Sequence, residues 1–445
     1  MSVIELGLVT DHPEEPTEQP RRPVRLADVR RVLVAVVVAL CVLGLTGSAR
    51  PESHGLRQLW SVPFQEGSHT LAMGPDLIYV LDSAQSVLTA FGARDGEVRW
   101  SSKELGRASW VGPVESGVLL MPGADTQAPM NDQGFRQFTT ETVGVDAATG
   151  VVRWRLPGEF FPLGDGRVLL IDWNAEGNTV TTLTVVQLSD GKRLWSQQGE
   201  GLESWMSGGI SPSTGTDRLV TVDKQGKAQT HDLADGRIVA RGKVPWMGQG
   251  QREDSYSNLS VDGHTLYLET VVREEGTLAA YDTETMRRKW QIEGRSYGGY
   301  FGCGPVLCIN GTDGVAGYDR ETGELRWTSP GQISGMPMGG TTILVANDTS
   351  EGSRQALVDG RTGRRFADLG TGVMVWDFRP PGRARLLLNR AWEPPGRTSV
   401  SEVDETGQVF LRGTVPLVQD YSCSSSGDLL VCLSADARLM VTDVG

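Results

Sequence analysis

The sequence is poor in the residues that build most catalytic and metal sites. It contains five histidines, scattered at positions 12, 54, 69, 231 and 264, and five cysteines. No two cysteines are adjacent and no Cys-x-x-Cys motif occurs, which argues against a thioredoxin-like redox site. The pattern Gly-x-Ser-x-Gly occurs once, at 294–298, but no helical periodicity follows it, so nothing indicates the nucleophile elbow of an α/β-hydrolase.

Basic residues are in the minority. There are 42 lysines and arginines against 55 aspartates and glutamates, a formal net charge of −13. A nucleic-acid-binding protein needs a basic face for phosphates, so this class is excluded. Hydrophobic residues make up 39% of the chain and glycines number 56, which predicts a folded core with many tight turns.

Only one long apolar run occurs, VLVAVVVALCVLGLTG from Val32 to Gly47. With Ser48 and Ala49 it reaches the length that a bilayer-spanning helix requires, which predicts a transmembrane helix at 32–49. Arginines cluster before this run, at positions 21, 22, 25, 30 and 31. The positive-inside rule then places residues 1–31 in the cytoplasm, as a disordered Pro-rich and acidic tail, and the rest of the chain outside.

A cleaved signal peptide is the alternative to this anchor. Gly47, Ser48 and Ala49 offer the small residues that a signal peptidase prefers. The long acidic region before the apolar run favours an uncleaved anchor, and cleavage stays an open question.

Residues 55–445 contain an internal repeat. An apolar run is followed by a turn with Asp and Gly, and a Trp stands four residues after the Gly, as in Asp146–Trp154 and Asp319–Trp327. The turns recur about every 44 residues, a spacing typical of propeller blades. The tryptophans at this position are Trp60, Trp100, Trp154, Trp195, Trp290 and Trp327. Their shared position predicts a structural role in which each ring packs between adjacent blades.

The two ends of the repeat region are complementary. The chain ends at 441–445 with the first half of a unit, and residues 55–60 supply the missing second half with its Trp. Short apolar runs bounded by turn residues predict strands throughout, and no helical periodicity is sustained. The sequence therefore predicts an all-β closed propeller of eight or nine four-stranded blades over 55–445, sealed by its terminal strands.

The motif Asp-x-x-Thr-Gly-x-x-x-Trp at Asp146–Trp154 and Asp319–Trp327 resembles the tryptophan-docking repeat of PQQ-like propellers. This family includes quinoprotein alcohol dehydrogenases and BamB-like proteins. The resemblance implies the propeller fold and leaves function open, because the fold hosts both enzymes and scaffolds. The quinoprotein enzymes carry a calcium ion and a disulfide of adjacent cysteines. The chain lacks adjacent cysteines, and we expect no cofactor and no metal.

The four cysteines of the propeller region form two local pairs, Cys303 with Cys308 and Cys423 with Cys432. Four cysteines allow three pairings, and the local one is favoured because each pair flanks a turn followed by an apolar strand. Disulfides persist on the oxidising side of a membrane. Zinc binding is the alternative, although no histidine is suitably spaced.

These observations predict a non-enzymatic, protein-binding scaffold anchored in the cell envelope. Its partner would be an unknown envelope protein or cell-wall component, with no nucleic acid bound and the chain monomeric. Trp246 and Trp392 stand outside the repeat position and are candidates for an exposed binding face. The insertion 122–138 lengthens the second unit, as functional loops often do. The alternatives are a quinone-dependent dehydrogenase and an extracytoplasmic sensor of a small ligand or sugar.

Overall fold

The computed structural model describes residues 55–445, apart from 66–68, 130–134, 200, 209–216, 249–254, 274, 296–298, 312, 333, 350–351, 378–384 and 405. These residues form 37 strands and one 3-10 turn, Leu105–Arg107. In this part of the chain no helix is long and apolar enough to span a bilayer. The tail at 1–31 and the transmembrane helix at 32–49 lie outside the described residues and stay predictions.

The strands form nine sheets, and each sheet contains a blade of four antiparallel strands. The count is therefore nine blades rather than eight. Blade 1 contains β2 (His69–Met73), β3 (Leu77–Asp82), β4 (Val87–Gly92) and β5 (Val98–Ser102). Blade 2 contains β6 (Val114–Glu115), β7 (Val118–Pro129), β8 (Phe135–Asp146) and β9 (Val152–Pro157). Blade 3 contains β10 (Glu159–Gly164), β11 (Arg167–Trp173), β12 (Val180–Gln187) and β13 (Arg193–Gln198).

The next three blades follow the same order. Blade 4 contains β14 (Leu202–Met206), β15 (Arg218–Asp223), β16 (Lys227–Asp232) and β17 (Ile238–Lys243). Blade 5 contains β18 (Ser255–Asp262), β19 (Thr265–Val272), β20 (Glu275–Asp282) and β21 (Arg288–Arg295). Blade 6 contains β22 (Tyr300–Cys303), β23 (Val306–Gly311), β24 (Gly314–Asp319) and β25 (Leu325–Pro330).

The last blades include the two irregular ones. Blade 7 contains β26 (Ser334–Pro337), β27 (Thr342–Thr349), β28 (Gly352–Asp359) and β29 (Arg365–Gly370). Blade 8 contains β30 (Val373–Met374), β32 (Arg385–Arg390), β33 (Arg397–Val403) and β34 (Val409–Pro416). Blade 9 contains β35 (Val418–Ser426), β36 (Leu429–Ser434), β37 (Arg438–Asp443) and β1 (Arg57–Pro63), with β31 (Trp376–Asp377) added in parallel to β35.

Blade 9 closes the ring with strands from both ends of the described chain. β1 pairs with β37 from Arg57, opposite Asp443, to Pro63, opposite Arg438. The Arg438 guanidinium also donates a hydrogen bond of 3.1 Å to the Ser61 carbonyl oxygen. The predicted closure by complementary ends is confirmed, and it leaves β37 without an open edge.

The core is divided among the blade interfaces. The described residues form nine hydrophobic clusters, one between each pair of neighbouring blades, including blade 9 against blade 1. The middle strands supply most of these residues because both of their faces are covered by neighbouring sheets. A ring in which every interface is filled provides a stiff support for the loops at its two faces.

The antiparallel order of the strands separates the loops into two groups. The turns between strands 1 and 2 and between strands 3 and 4 lie at one face. The turns between strands 2 and 3 and the links from blade to blade lie at the other, which we call the connection face. First strands of neighbouring blades contact each other, as β14 does β18 and β22 does β26, so the first strand of each blade is its innermost.

Candidate functional site

The six repeat tryptophans occupy equivalent positions in the outermost strands of blades 9, 1, 2, 3, 5 and 6. Each indole N–H donates to a backbone carbonyl of the following blade, with N–O distances between 2.8 and 3.1 Å. Each ring also covers the turn glycine of that blade. A Cβ atom on Gly191, whose φ is 70°, would lie 2.7 Å from Cγ of Trp154. These tryptophans act as joints between blades.

The interface between blades 4 and 5 is filled by a different pair of residues. Ala240 stands where six of the other blades carry Trp, and Met286 stands where the other blades carry the turn Gly. Both residues belong to one buried cluster, and Met286 has a φ of 55°, in the left-handed region that the turn glycines occupy in the other blades. Its Sδ accepts a hydrogen bond of 3.4 Å from the Thr230 hydroxyl. The large side chain is thus supplied from the opposite side of the interface.

Both local cysteine pairs are disulfide-bonded, as the sequence predicts. Cys303 is joined to Cys308 and Cys423 to Cys432, with Cα–Cα distances of 5.9 and 4.1 Å. Each bond links the first and second strands of a blade, β22 to β23 in blade 6 and β35 to β36 in blade 9. They brace the innermost hairpins of these two blades.

The two tryptophans proposed for a binding face, Trp246 and Trp392, both lie on the connection face but on separate blades. Trp246 follows β17 of blade 4, is half-buried, and donates a hydrogen bond of 2.7 Å to the Glu203 carboxylate. Trp392 lies in the turn between β32 and β33 of blade 8, and its side chain is 95% exposed. The structure does not bring them together, and Trp392 alone is presented fully to solvent.

The insertion in the second unit extends a blade as a hairpin. Strands β7 and β8 stay paired out to Pro129 opposite Phe135, whereas their neighbours β6 and β9 pair only near the blade. We call residues 124–129 and 135–139 the blade 2 arm. Phe135, in the last described pair of the arm, is 74% exposed.

The blade 2 arm is fastened onto blade 3. The Arg136 guanidinium donates a hydrogen bond of 2.7 Å to the Gly177 carbonyl and lies 4.0 Å from the centre of the Trp173 ring. Phe138 is buried, and a Cβ atom on Gly177 would lie 2.4 Å from its ring. At the base of the arm, Asp125 accepts hydrogen bonds from the side chains of Ser109, Gln137 and Thr139. The arm is therefore held in one orientation.

A large cavity opens on the connection face at blades 8 and 9, with a volume of about 920 Å³. Two irregular inner strands produce it. β30 pairs with β32 at only Val373 and Met374, and the chain then crosses to pair with β35 as β31. In blade 9, pairing between β35 and β36 is interrupted between Val418 and Cys423. The inner strands separate here and leave a cup beside Trp392. No sequence motif marks this cavity.

One buried carboxyl group has no visible partner. Glu269, in β19 of blade 5, is 3% exposed, and its Oε1 makes no hydrogen bond within the described structure. Burial raises the pKa of this carboxyl to about 7. Burial likewise raises the pKa of the nearby Tyr300, whose hydroxyl hydrogen-bonds the Ser260 hydroxyl at 3.0 Å. The sequence offers no signal for Glu269, since a single Glu in a strand gives no indication of burial.

Within the described ranges, no group of three or more His, Cys, Asp or Glu side chains is arranged to hold a metal ion. His231 is buried beside the Thr221 hydroxyl, at 3.1 Å from Nε2, and burial lowers its pKa. This environment is that of a core histidine.

Comparison with solved structures finds propellers of low sequence similarity. BamB from Moraxella catarrhalis is 16% identical over 87% of this chain and 99% of that chain, with a TM-score of 0.41. The quinohemoprotein alcohol dehydrogenase ADHIIG from Pseudomonas putida HK5 is 13% identical over 71% of this chain and 74% of that chain, with a TM-score of 0.34. No curated protein matches the sequence.

A family model provides the stronger comparison. The model described as outer membrane protein assembly factor BamB matches residues 52–160 and 179–300, more than half of the chain. The matched residues include the tryptophan joints of blades 9, 1, 2, 3 and 5. This chain belongs to the PQQ-like propeller family described by the outer membrane protein assembly factor BamB.

Proposed function

We propose that this chain is a non-enzymatic, protein-binding scaffold of the cell envelope and that the blade 2 arm is its docking element. The observation that carries the proposal is the contrast within the arm. Phe135 is 74% exposed, while Arg136 and Phe138 fix the adjoining residues to blade 3. An exposed aromatic side chain on a rigid support binds a partner with little loss of conformational entropy.

The surrounding face has the composition of an interface. Among the residues that the structure describes, five aromatic side chains are exposed. Phe410 lies on an outer strand, and the other four belong to the connection face: Trp110, Phe135, Tyr256 and Trp392. Aromatic residues dominate the binding energy of protein interfaces. The net charge of −13 favours a basic or neutral partner over an anionic surface. The assembly role named in the matched family description also supports a scaffold.

The proposal includes an anchor at 32–49 with the propeller outside the membrane. The two disulfides support this side, because such bonds persist in oxidising compartments. Protease added to intact spheroplasts should digest the propeller and spare the tail, and alkaline carbonate should leave the chain in the membrane. Release by carbonate, or protection of the propeller, would contradict the anchor.

A photo-crosslinking amino acid at position 135 tests the docking element in living cells. We expect one discrete protein adduct at position 135 and none at Val98, a matched control that is 58% exposed on the outer strand of blade 1. The adduct should vanish when Arg136→Ala releases the arm. Identical adducts at both positions, or none at position 135, would refute docking through the arm.

The proposal that the chain is not an enzyme is tested separately. The purified chain, supplied with pyrroloquinoline quinone and calcium, should show no dye-linked oxidation of alcohols or sugars. Turnover that depends on the quinone would replace the scaffold by the dehydrogenase alternative.

A further inference from the structure

The cavity of blades 8 and 9 has the size and shape of a small-molecule site. Its volume of about 920 Å³ lies in the upper part of the range of roughly 300–1,000 Å³ found for ligand pockets. Its lining includes Val373, Val375 and Cys423, and the Cys423–Cys432 disulfide braces the inner hairpin beside it. The cup is thus built mainly from two blades, with Ser353 contributed by blade 7, and not from one loop.

The polar groups of the lining are mostly neutral. Amide and hydroxyl side chains come from Ser353, Thr371, Asn389, Thr398, Ser399, Thr414 and Gln419. Some are already engaged, since the Thr398 hydroxyl accepts a hydrogen bond of 3.2 Å from the Val418 N–H. The side chains of Asn389 and Thr371 make no hydrogen bond to other described residues and are free to bind a ligand.

The charged groups of the lining balance each other. Arg390 and Glu393 are the ionisable residues among the lining side chains that the structure describes. One positive and one negative group at the same rim give no preference for an anion or a cation. A neutral ligand is therefore the best match.

Trp392 stands at the rim, and its ring is 95% exposed. An indole face carries negative electrostatic potential and an apolar surface, and it attracts groups with positively polarised C–H bonds. The C–H faces of a pyranose ring have this character, while the sugar hydroxyls need partners that both donate and accept. The side-chain amide of Asn389 provides both.

We infer that this cavity binds a neutral oligosaccharide, with a sugar ring stacked on Trp392 and hydroxyl groups bonded to Asn389 and Thr371. An acyl chain would displace water from the amide and hydroxyl groups of the wall and leave them unpaired, which is costly. The experiment below distinguishes binding of a peptide from binding of an oligosaccharide. The inference is independent of the blade 2 arm, which lies on another blade.

Isothermal titration of the full-length chain tests the site, in a detergent without a sugar headgroup. The probes are maltotetraose, cellotetraose and tetra-N-acetylchitotetraose, with trigalacturonate as the anionic probe and tetra-alanine as the peptide probe. At least one neutral probe should bind at millimolar concentration or below. Trp392→Ala should weaken it about tenfold, the loss of one aromatic stacking contact, and Asn389→Ala should weaken it as well.

The matched control is Phe410→Ala. Phe410 is 49% exposed on the outer strand of the same blade and does not line the cavity, so this variant should bind like the wild type. Thermal unfolding of each variant confirms that the fold is intact. The inference is overturned if no neutral probe binds, if Trp392→Ala binds as tightly as the wild type, or if the anionic or peptide probe binds more tightly than every neutral one.

Discussion

The docking tryptophans differ in how deeply they are buried. Trp154 is 7% exposed and its N–H donates to the Leu188 carbonyl at 2.8 Å, while Trp60 and Trp100 are half-buried. In contrast, Trp392 is exposed in a turn and does not pack between two blades. Single tryptophans of this chain therefore range from structural joints to a solvent-exposed platform.

Replacing Trp154 by Ala should destabilise the propeller by about 3–5 kcal/mol, because a large cavity opens between blades 2 and 3 and a buried carbonyl loses its donor. Urea unfolding followed by circular dichroism measures the loss. Trp392→Ala is the matched control and should change the free energy of unfolding by less than about 0.5 kcal/mol. Equal effects of the two substitutions would contradict the joint.

At the interface of blades 4 and 5, the Trp–Gly pair of the regular joints can be restored in place of Ala240 and Met286. Ala240→Trp alone should cost roughly 1–3 kcal/mol, because the new ring clashes with Met286. Adding Met286→Gly should recover this loss by rebuilding the Trp–Gly joint found at six other interfaces. A double-mutant cycle on the unfolding free energy measures the coupling between the two positions. Additive effects would show that the two positions do not share one packing space.

Glu269 should make stability depend on pH. Its pKa is raised from 4.5 to about 7, so the folded state holds a proton between these values that the unfolded state releases. The contribution of the protonated Glu269 carboxyl to the free energy of unfolding is complete below pH 4.5 and is lost as the pH rises through 7. At about 1.4 kcal/mol per pKa unit, the loss is on the order of 3 kcal/mol.

The comparison that isolates this group is the wild type against Glu269→Gln. As the pH rises from 5 to 8, the melting temperature of the variant should rise relative to that of the wild type. A difference that stays constant across this range would show that the Glu269 carboxyl is not held protonated.

At the scale of elements, the blade 2 arm depends on few contacts. Arg136→Ala removes both the hydrogen bond to Gly177 and the contact with Trp173. Hydrogen exchange should accelerate at 124–129 and 135–139, while the rest of the propeller keeps its protection. Arg99→Ala, which removes ion pairs local to blade 1, should leave exchange in the arm unchanged. Faster exchange throughout the molecule would contradict a locally fastened arm.

The regular blades could be predicted from the sequence because their signals are local. Asp146, Gly150 and Trp154 fix a turn and a joint within nine residues. The cavity could not be predicted, since it depends on β31 leaving blade 8 to pair with Ser424 and Ser425 of another blade. Pairings between strands this far apart leave no periodic pattern in the chain.

At the scale of the whole molecule, the ring depends on β1. Deleting Arg57–Pro63 removes the Trp60 joint and leaves β37 with an unpaired edge, and exposed strand edges pair with other chains. Light scattering should show self-association of the deletion variant. A peptide of the deleted residues should shift it back towards the monomer. A monomeric variant with the wild-type unfolding midpoint would contradict the role of β1.

The ring itself could be inferred from the complementary ends, but the number of blades could not. The choice between eight and nine depended on whether weak units such as 359–363 and 404–407 form full blades. Both units form full blades, although neither carries Trp in its outermost strand. The turn glycine of blade 8, Gly407, lies against Phe366 and Ala367 of blade 7 instead of a Trp ring. The motif alone cannot distinguish a blade packed in this way from an irregular insertion.

The closing strand also sets how the molecule bears mechanical load. Residue 55 leads directly into β1, so tension from the N-terminal side reaches the Arg57–Asp443 pair first. Tension across the axis of β1 breaks the bonds of this ladder one pair at a time, whereas tension along the axis loads them together in shear. The Trp60 indole and the Arg438–Ser61 hydrogen bond are the next contacts to be loaded. Pulling across the axis should therefore fray the first residues of β1 and then stall before the ring opens.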